Sequence, residues 1–178
     1  MAAEPEPSLS AMVLPHLDAA YNLARWIMGS AEDAEDVVQE AMVRALTYFS
    51  SFRGRNARAW LLQIVRNTAY SALRTRRGLR LVPLADEGEE DAPAGVELVD
   101  PADTPETALI RSRDREQVDA LIARLPLGLR ETLVMRELEE LSYREIADVT
   151  GVPIGTVMSR LWRARRLLAD AVAGSEAR

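Results

Sequence analysis

Apolar residues recur at helical spacing through most of the chain, and this pattern predicts helices rather than strands. In the first half it predicts three helices, with Gly29 ending the first and Ser30 opening the second. The predicted buried stripes are Leu9, Met12, Val13, Leu17, Ala20, Ala24 and Ile27 in the first helix, Ala34, Val37, Val38, Ala41, Ala45, Leu46 and Phe49 in the second, and Trp60, Leu61, Ile64, Val65, Thr68 and Ala69 in the third. No segment alternates strictly between apolar and polar residues, so the predicted fold class is all-α.

Helical spacing resumes in the second half. One helix is predicted from Pro105 through Leu125, and Pro126 opens another. Their apolar positions are Val118, Leu121, Ile122 and Leu125 in the former, and Leu129, Leu133, Val134 and Leu138 in the latter. This half therefore has its own predicted core.

The segment from Leu141 to Leu168 predicts a helix-turn-helix. Ser142 and Glu145 have the spacing of a capping box, and Gly151 suits the left-handed residue that ends a helix. Pro153 suits the first position of the second helix, whose apolar residues are Val157, Leu161, Ala164 and Leu168. Because the other side of that helix is basic, the motif favours binding in the major groove of DNA over an ordinary packed helix pair.

Residues 81–105 have a different composition, in which prolines, glycines and acids replace the apolar periodicity. This segment predicts an acidic flexible linker between two small helical domains, residues 1–80 and 106–178. Its acids, with one just beyond it, are Asp86, Glu87, Glu89, Glu90, Asp91, Glu97, Asp100, Asp103 and Glu106.

Charge is distributed unevenly, although the net charge of -6 alone argues against a DNA-binding protein. Eight arginines and no acid lie between Phe52 and Arg80, and only arginines carry charge between Gly151 and Ala169. Two basic regions separated by an acidic segment favour contact with nucleic acid at both ends.

The composition also argues against several classes of protein. The chain has no cysteine and one histidine, His16, so we expect no metal site, no cofactor and no catalytic constellation. No apolar run is long enough to cross a bilayer and the first residues are acidic, so we expect no membrane insertion and a cytoplasmic location.

Three motifs in this order resemble the bacterial extracytoplasmic-function (ECF) sigma factors of RNA polymerase. The segment from Leu125 to Leu168 is similar to region four of that family. The segment from Asp33 to Leu46 resembles the polymerase-binding helix of region two, and that from Ala57 to Arg77 its promoter-melting helix. The resemblance implies a non-enzymatic subunit that binds core RNA polymerase and directs promoter-specific initiation.

The resemblance also implies three sets of site residues. Polymerase-binding residues are Asp33, Asp36, Val37, Gln39, Glu40 and Arg44. Residues for the minus-ten element are Phe52, Arg53, Arg55, Asn56, Arg58, Arg66, Asn67, Tyr70, Arg74 and Arg77. Residues for the minus-thirty-five element are Thr156, Met158, Ser159, Arg160, Arg163, Arg165 and Arg166. Implied partners are promoter DNA, the clamp of the largest polymerase subunit, the flap of the second-largest and an anti-sigma factor.

The sequence leaves several roles open. Trp60 is able to stack on a base, but its place on an apolar stripe favours the core. Met158 offers only apolar contact where relatives often have arginine or lysine, and Trp162 either packs inward or faces the polymerase. The acidic linker is either a tether or a mimic of nucleic acid in a polymerase channel.

Three rival functions fit the sequence less well. A stand-alone regulator with a helix-turn-helix predicts dimers and palindromic sites but leaves the first half unexplained. An enzyme lacks candidate catalytic groups. A decoy that binds an anti-sigma factor without initiating transcription is disfavoured by the arginines around Arg66 and Arg163.

We expect limited proteolysis to cleave first between Asp86 and Asp103 and to release two stable halves, because this segment lacks apolar periodicity. Mass spectrometry of the fragments checks this. Digestion without stable halves would contradict it unless a partner holds the chain.

Overall fold

The structure, a computed structural model, describes residues 8–54, 56–76 and 115–176. The helices of the first half are α1 (Leu9–Val13), α2 (Leu17–Met28), α3 (Ala31–Tyr48) and α4 (Ala57–Arg76), with short 3-10 turns at Leu14–His16 and Phe49–Ser51. Those of the second half are α5, described over residues 115–123, α6 (Leu127–Glu137), α7 (Tyr143–Thr150) and α8 (Ile154–Glu176).

The predicted fold class, all-α with two small helical domains, is confirmed, and the described residues contain no strand. The acidic segment 81–105 lies outside the described residues, together with the beginning of the helix predicted from Pro105.

Helix boundaries follow the local signals in the sequence. Gly29 and Gly151 end α2 and α7 with φ angles of 75° and 73°, in the left-handed region that glycine adopts without strain. Before α7, the Ser142 hydroxyl accepts a hydrogen bond from the Glu145 amide at 3.2 Å. The Glu145 carboxylate in turn accepts one from the Ser142 amide at 2.7 Å, so the predicted capping box is formed.

The structure corrects the extent of the first predicted helix and the predicted burial of Leu46. The first predicted helix is divided by a 3-10 turn at Leu14–His16, because Pro15 has no amide hydrogen to donate within an α-helix. Leu46, predicted to be buried, is 65 % exposed. It lies about 100° around α3 from the buried Ala45, which turns it away from the bundle.

Each half has an apolar centre. In the first half α2, α3 and α4 pack against one another around the fully buried Leu23, Leu61 and Leu62. In the second half α6, α7 and α8 pack around buried residues that include Ile146 and Leu161. On α8 the predicted stripe is buried at Val157, Leu161 and Ala164 and half-buried at Leu168, as the helix-turn-helix pattern requires.

The two halves also pack against each other, with α4 against α7 and α2 against α6. Arg130 of α6 is buried at this boundary. Its guanidinium donates to the carbonyl oxygen of Trp26 in the first half at 3.1 Å and to that of Leu125 in the second half at 2.9 Å. Buried backbone carbonyls thus receive a charged donor on both sides of the boundary.

The capping box generates a stability prediction. Ser142→Ala removes the hydroxyl that accepts from the Glu145 amide and should lower the free energy of unfolding by about 1 kcal/mol. Urea unfolding followed by circular dichroism measures this loss. The control is Ser71→Ala in the middle of α4, which should change stability by no more than about 0.5 kcal/mol. Equal losses in both variants would contradict the role of the cap.

Candidate nucleic-acid interface

The second helix of the helix-turn-helix, α8, presents a polar surface opposite its buried stripe. Ser159 and Arg163 are exposed, and Met158 is 51 % exposed. Met158 is adjacent to Ser159, and Ser159 lies one turn before Arg163, on the side that a groove-binding helix turns toward DNA. Thr156, near the start of the helix, is half-buried. The surface joins a cation, a hydroxyl and an apolar side chain, which suits contact with base edges.

The other arginines of α8 have different environments. Arg165 donates to the Glu137 carboxylate of α6 at 2.6 Å. Arg166 lies over the ring of Trp162, with its guanidinium carbon 5.3 Å from the ring centroid. Trp162 itself is 61 % exposed, so it does not pack inward.

Arg160 differs from the expectation of a phosphate-facing side chain. Its side chain is only 14 % exposed and lies 3.7 Å from the carboxylate of Glu131, which is fully buried in α6. The Arg160 guanidinium also packs close to Gly128, where a Cβ atom would approach its central carbon to 3.4 Å. The side chain therefore fixes α8 against α6.

The loop before α4 is organised around two aromatic rings. Phe52 and Trp60 have ring centroids 4.8 Å apart and are both half-buried. Trp60 also packs against the hydrophobic core, as its position on the apolar stripe indicated. Arg53 is exposed, and its guanidinium donates to the carbonyl oxygen of Ser50 at 2.7 Å. Arg55 and Arg77, two further residues of the minus-ten set, lie outside the described residues.

Several residues predicted to bind the minus-ten element instead contact the second half of the chain. Asn56 donates to the carboxylate of Glu145 at 2.6 Å, and Arg58 to that of Glu139 at 2.9 Å. The pKa of Glu145 is lowered, mainly because hydrogen bonds from Ser142 stabilise the ionised carboxylate. The hydrogen bond from Asn56 and the charge of Arg58 lower this pKa further, by smaller amounts.

Arg66 makes the most complete of these contacts. Its Nε and Nη2 atoms donate to the two carboxylate oxygens of Glu131 at 2.7 and 2.8 Å. Its guanidinium also lies 4.3 Å from the ring centroid of Tyr70. Tyr70, expected on the outer side of α4, is buried, and burial together with the charge of Glu131 raises its pKa. Among the predicted minus-ten residues of α4, only Asn67 and Arg74 are exposed.

The predicted polymerase-binding side of α3 is partly exposed. Asp36, Gln39 and Glu40 are exposed, and Arg44 pairs with Glu40 across one helical turn at 2.5 Å. Asp33 binds Arg76 of α4, which lowers the pKa of its carboxyl. Val37 does not add to the exposed surface, because this side chain is only 3 % exposed and belongs to the bundle core, as its place on the predicted buried stripe indicated.

Sequence reasoning missed an apolar continuation of that side. Val43, Leu46 and Tyr48 are 66 %, 65 % and 55 % exposed, respectively. Val43 follows Gln39 and Glu40 at helical spacing, so acidic and apolar groups form one surface. Their mixed pattern along α3 was the available signal, but the periodicity assigned Leu46 to the core.

The second half also has an apolar groove of about 390 Å³ between α5, α6 and α8. Its lining residues are Val118, Ile122, Leu133, Val134, Glu137, Leu138, Arg165 and Leu168. Within the described ranges no cluster of histidine, aspartate or glutamate has the arrangement of a metal site. No helix in the same ranges is long and apolar enough to span a membrane.

Comparison with known proteins finds two family models in this chain. Residues 12–78 match the model for Sigma-70 region 2, and residues 115–168 match that for Sigma-70, region 4. These ranges include α2 to α4 and the described helices α5 to α7, respectively, and the second continues into α8.

Characterised relatives match nearly the whole chain. The RNA polymerase sigma-H factor of Pseudomonas aeruginosa is 37 % identical over 164 residues, covering 90 % of this chain and 84 % of the relative. The ECF RNA polymerase sigma-E factor of Haemophilus influenzae is 40 % identical over 154 residues, covering 84 % and 79 %.

Solved structures show the same architecture. The sigma factor RpoE of Bartonella quintana, crystallised with the anti-sigma factor NepR, superimposes with a TM-score of 0.66 at 27 % identity, covering 90 % of this chain and 94 % of that one. CnrH, in complex with the cytosolic domain of CnrY, has a TM-score of 0.61 at 23 % identity and supports the fold alone.

Proposed function

Because the chain belongs to the ECF family of RNA polymerase sigma factors and directs promoter-specific transcription initiation, we propose that its two domains divide the promoter between them. The first domain, residues 1–80, binds the polymerase clamp and the minus-ten element, and the second, residues 106–178, binds the minus-thirty-five element. The observation that carries this assignment is the exposed surface of α8 opposite its buried stripe.

In the second domain Arg163 is the main base-reading residue. It is exposed one turn after Ser159, and a planar guanidinium is able to donate to both major-groove acceptors of one guanine. Thr156, Arg165 and Arg166 bind phosphates, and Met158 makes apolar contact with a thymine methyl group. A phosphate contact by Arg160 would require its side chain to leave Glu131.

In the first domain the loop around Phe52 and the polar side of α4 bind the opened minus-ten strand. Melting needs cations for the phosphates and groups that receive an unstacked base. Arg53, Asn67 and Arg74 are exposed and supply part of that surface. Asn56, Arg58 and Arg66 contact the second domain, so these contacts must break before their donor groups are available.

The exposed side of α3 binds the clamp of the largest polymerase subunit, and the apolar groove of the second domain receives the flap of the second-largest. The α3 surface joins Asp36 and Gln39 to the apolar Val43, which combines charge complementarity with burial of apolar area. The similarity to a sigma factor solved with an anti-sigma factor supports control by such a partner. Like other sigma factors, the chain is not an enzyme, and it acts in the cytoplasm with core polymerase.

The decisive experiment is transcription by this chain reconstituted with core RNA polymerase on a library of random promoters. Initiation at a shared pair of upstream elements supports the proposal. Tight binding to palindromic duplex DNA without polymerase, and no initiation with it, would instead favour the stand-alone regulator.

The docking proposal predicts that Asp36→Arg, or Gln39→Ala, lowers the affinity for core polymerase. Both side chains are exposed on α3, so helical content should not change. Pull-down with core polymerase measures the affinity. The control is Asp170→Arg, an exposed site on α8 with the same change in charge. Unchanged affinity in both α3 variants would show that this surface does not dock.

Substitution of Arg163 and substitution of Arg166, both on α8, should have different effects on promoter recognition. Arg163→Ala should weaken promoter binding by about 1–3 kcal/mol, because it removes a bidentate contact with a base. It should also reduce the base preference at one upstream position. Arg166→Ala should weaken all promoters alike and reduce the salt slope by about one unit, because it removes a phosphate contact. Library transcription with holoenzyme at two salt concentrations distinguishes them. Equal losses that are independent of sequence would identify Arg163 as another phosphate contact.

A further inference from the structure

Arg160 lies on the flank of the recognition helix, α8, between the side that we assign to DNA and the side that is buried. Ser159, the residue before it, is exposed, and Leu161, the residue after it, belongs to the core. Successive side chains of an α-helix are about 100° apart, so Arg160 belongs to neither side. Its flank of α8 faces α6.

On α6 the guanidinium of Arg160 meets a buried carboxylate and a glycine. It lies 3.7 Å from the carboxylate of Glu131, which is fully buried, and the Arg160 side chain is itself only 14 % exposed. It also packs against Gly128, where a Cβ atom would lie 3.4 Å from the central carbon of the guanidinium. Gly128, one turn before Glu131, thus leaves the room that this guanidinium occupies. The contact between α8 and α6 is therefore directional and confined.

A directional contact matters here because the rest of this interface is apolar. Val157, Leu161 and Ala164 hold α8 against its domain, but the burial of apolar surface has no preferred direction. A rotation of the helix by about 20° moves a side-chain tip at a radius of about 6 Å through about 2 Å. A bidentate contact needs its groups placed to within about 0.5 Å. Apolar packing alone therefore does not aim Arg163.

We propose that Glu131 is a positioning residue for the minus-thirty-five element: it holds Arg160, which fixes the rotation of α8 and so aims Arg163 at its base. Arg160 is then an anchor of the recognition helix and makes no phosphate contact. The inference rests on the proposed assignment of Arg163 as the main base-reading residue.

Promoter-library transcription with holoenzyme measures base preference at each upstream position. Glu131→Gln keeps the shape of the side chain and removes its charge. It should lower the preference at the position that Arg163 reads by about fivefold, the lower end of what one bidentate base contact contributes. The salt slope should not change, because no phosphate contact is lost. The control, Glu140→Gln, removes the same charge at an exposed site after α6 and should leave this preference unchanged.

A second variant tests the other member of the pair. Arg160→Met keeps an unbranched side chain without its charge and should lower the same base preference, again at an unchanged salt slope. The double variant with Glu131→Gln should lose no more preference than either single variant, because the two residues act through one contact. A phosphate-binding Arg160 would instead give losses that are independent of sequence and a salt slope reduced by about one unit.

A third variant separates this role from the other contact of Glu131, which also accepts two hydrogen bonds from Arg66 of the first domain. Gly128→Leu places a side chain where the Arg160 guanidinium lies, and leaves both Glu131 and Arg66 in the chain. It should lower the preference at the Arg163 position in the same way. Circular dichroism checks that each variant keeps its helical content, and Arg160→Met with Gly128→Leu provides the test if Glu131→Gln does not.

The outcomes separate this proposal from the proposed function. Unchanged base preference in Arg160→Met and Gly128→Leu, or losses in the double variant that multiply, would overturn the positioning role and leave the sigma-factor assignment intact. Failure of the proposed function would appear instead as no initiation by the unmodified chain, or as unchanged base preference in Arg163→Ala.

Discussion

The ion pair between Arg66 and Glu131 is the interaction on which the arrangement of the two domains depends. It joins α4 to α6 through two parallel hydrogen bonds, and Arg160 lies beside the same carboxylate. Moving a charged group from water into the protein interior costs several kcal/mol. Good geometry and several hydrogen-bond donors offset that cost. Loss of one partner would leave the other charge buried, so the domain contact and the position of the recognition helix are coupled through one residue.

This arrangement accounts for part of the uneven charge distribution along the chain. Its net charge of -6 suggests a poor DNA-binding protein, yet Glu131 and Glu139 pair with arginines of the same chain. Intramolecular pairing of this kind neutralises part of the basic surface within the chain. Because the pairs are polar, an interface of this composition is suited to opening.

The proposed polymerase-docking surface combines two physical requirements on one helix. One side of α3 buries Ala34, Val37 and Ala41 in the bundle, and another leaves Val43 and Leu46 exposed beside acids. Large exposed apolar residues in a small domain mark a surface that a partner covers. Their helical spacing was visible in the sequence, but which apolar residues face the core depended on where α2 and α4 pack.

The sequence by itself determined the local structure, because helix ends depend on residues close together in the chain. Ser142 with Glu145, Gly29 and Gly151 act within one turn, and the stripe of α8 needs only helical periodicity. Those signals were sufficient for the all-α fold and the helix-turn-helix. The tertiary structure alone decided the surroundings of Arg66, which meets an acid 65 residues away. Charged residues on a helix have the same local pattern whether they face solvent, DNA or another domain, so only packing distinguishes these cases.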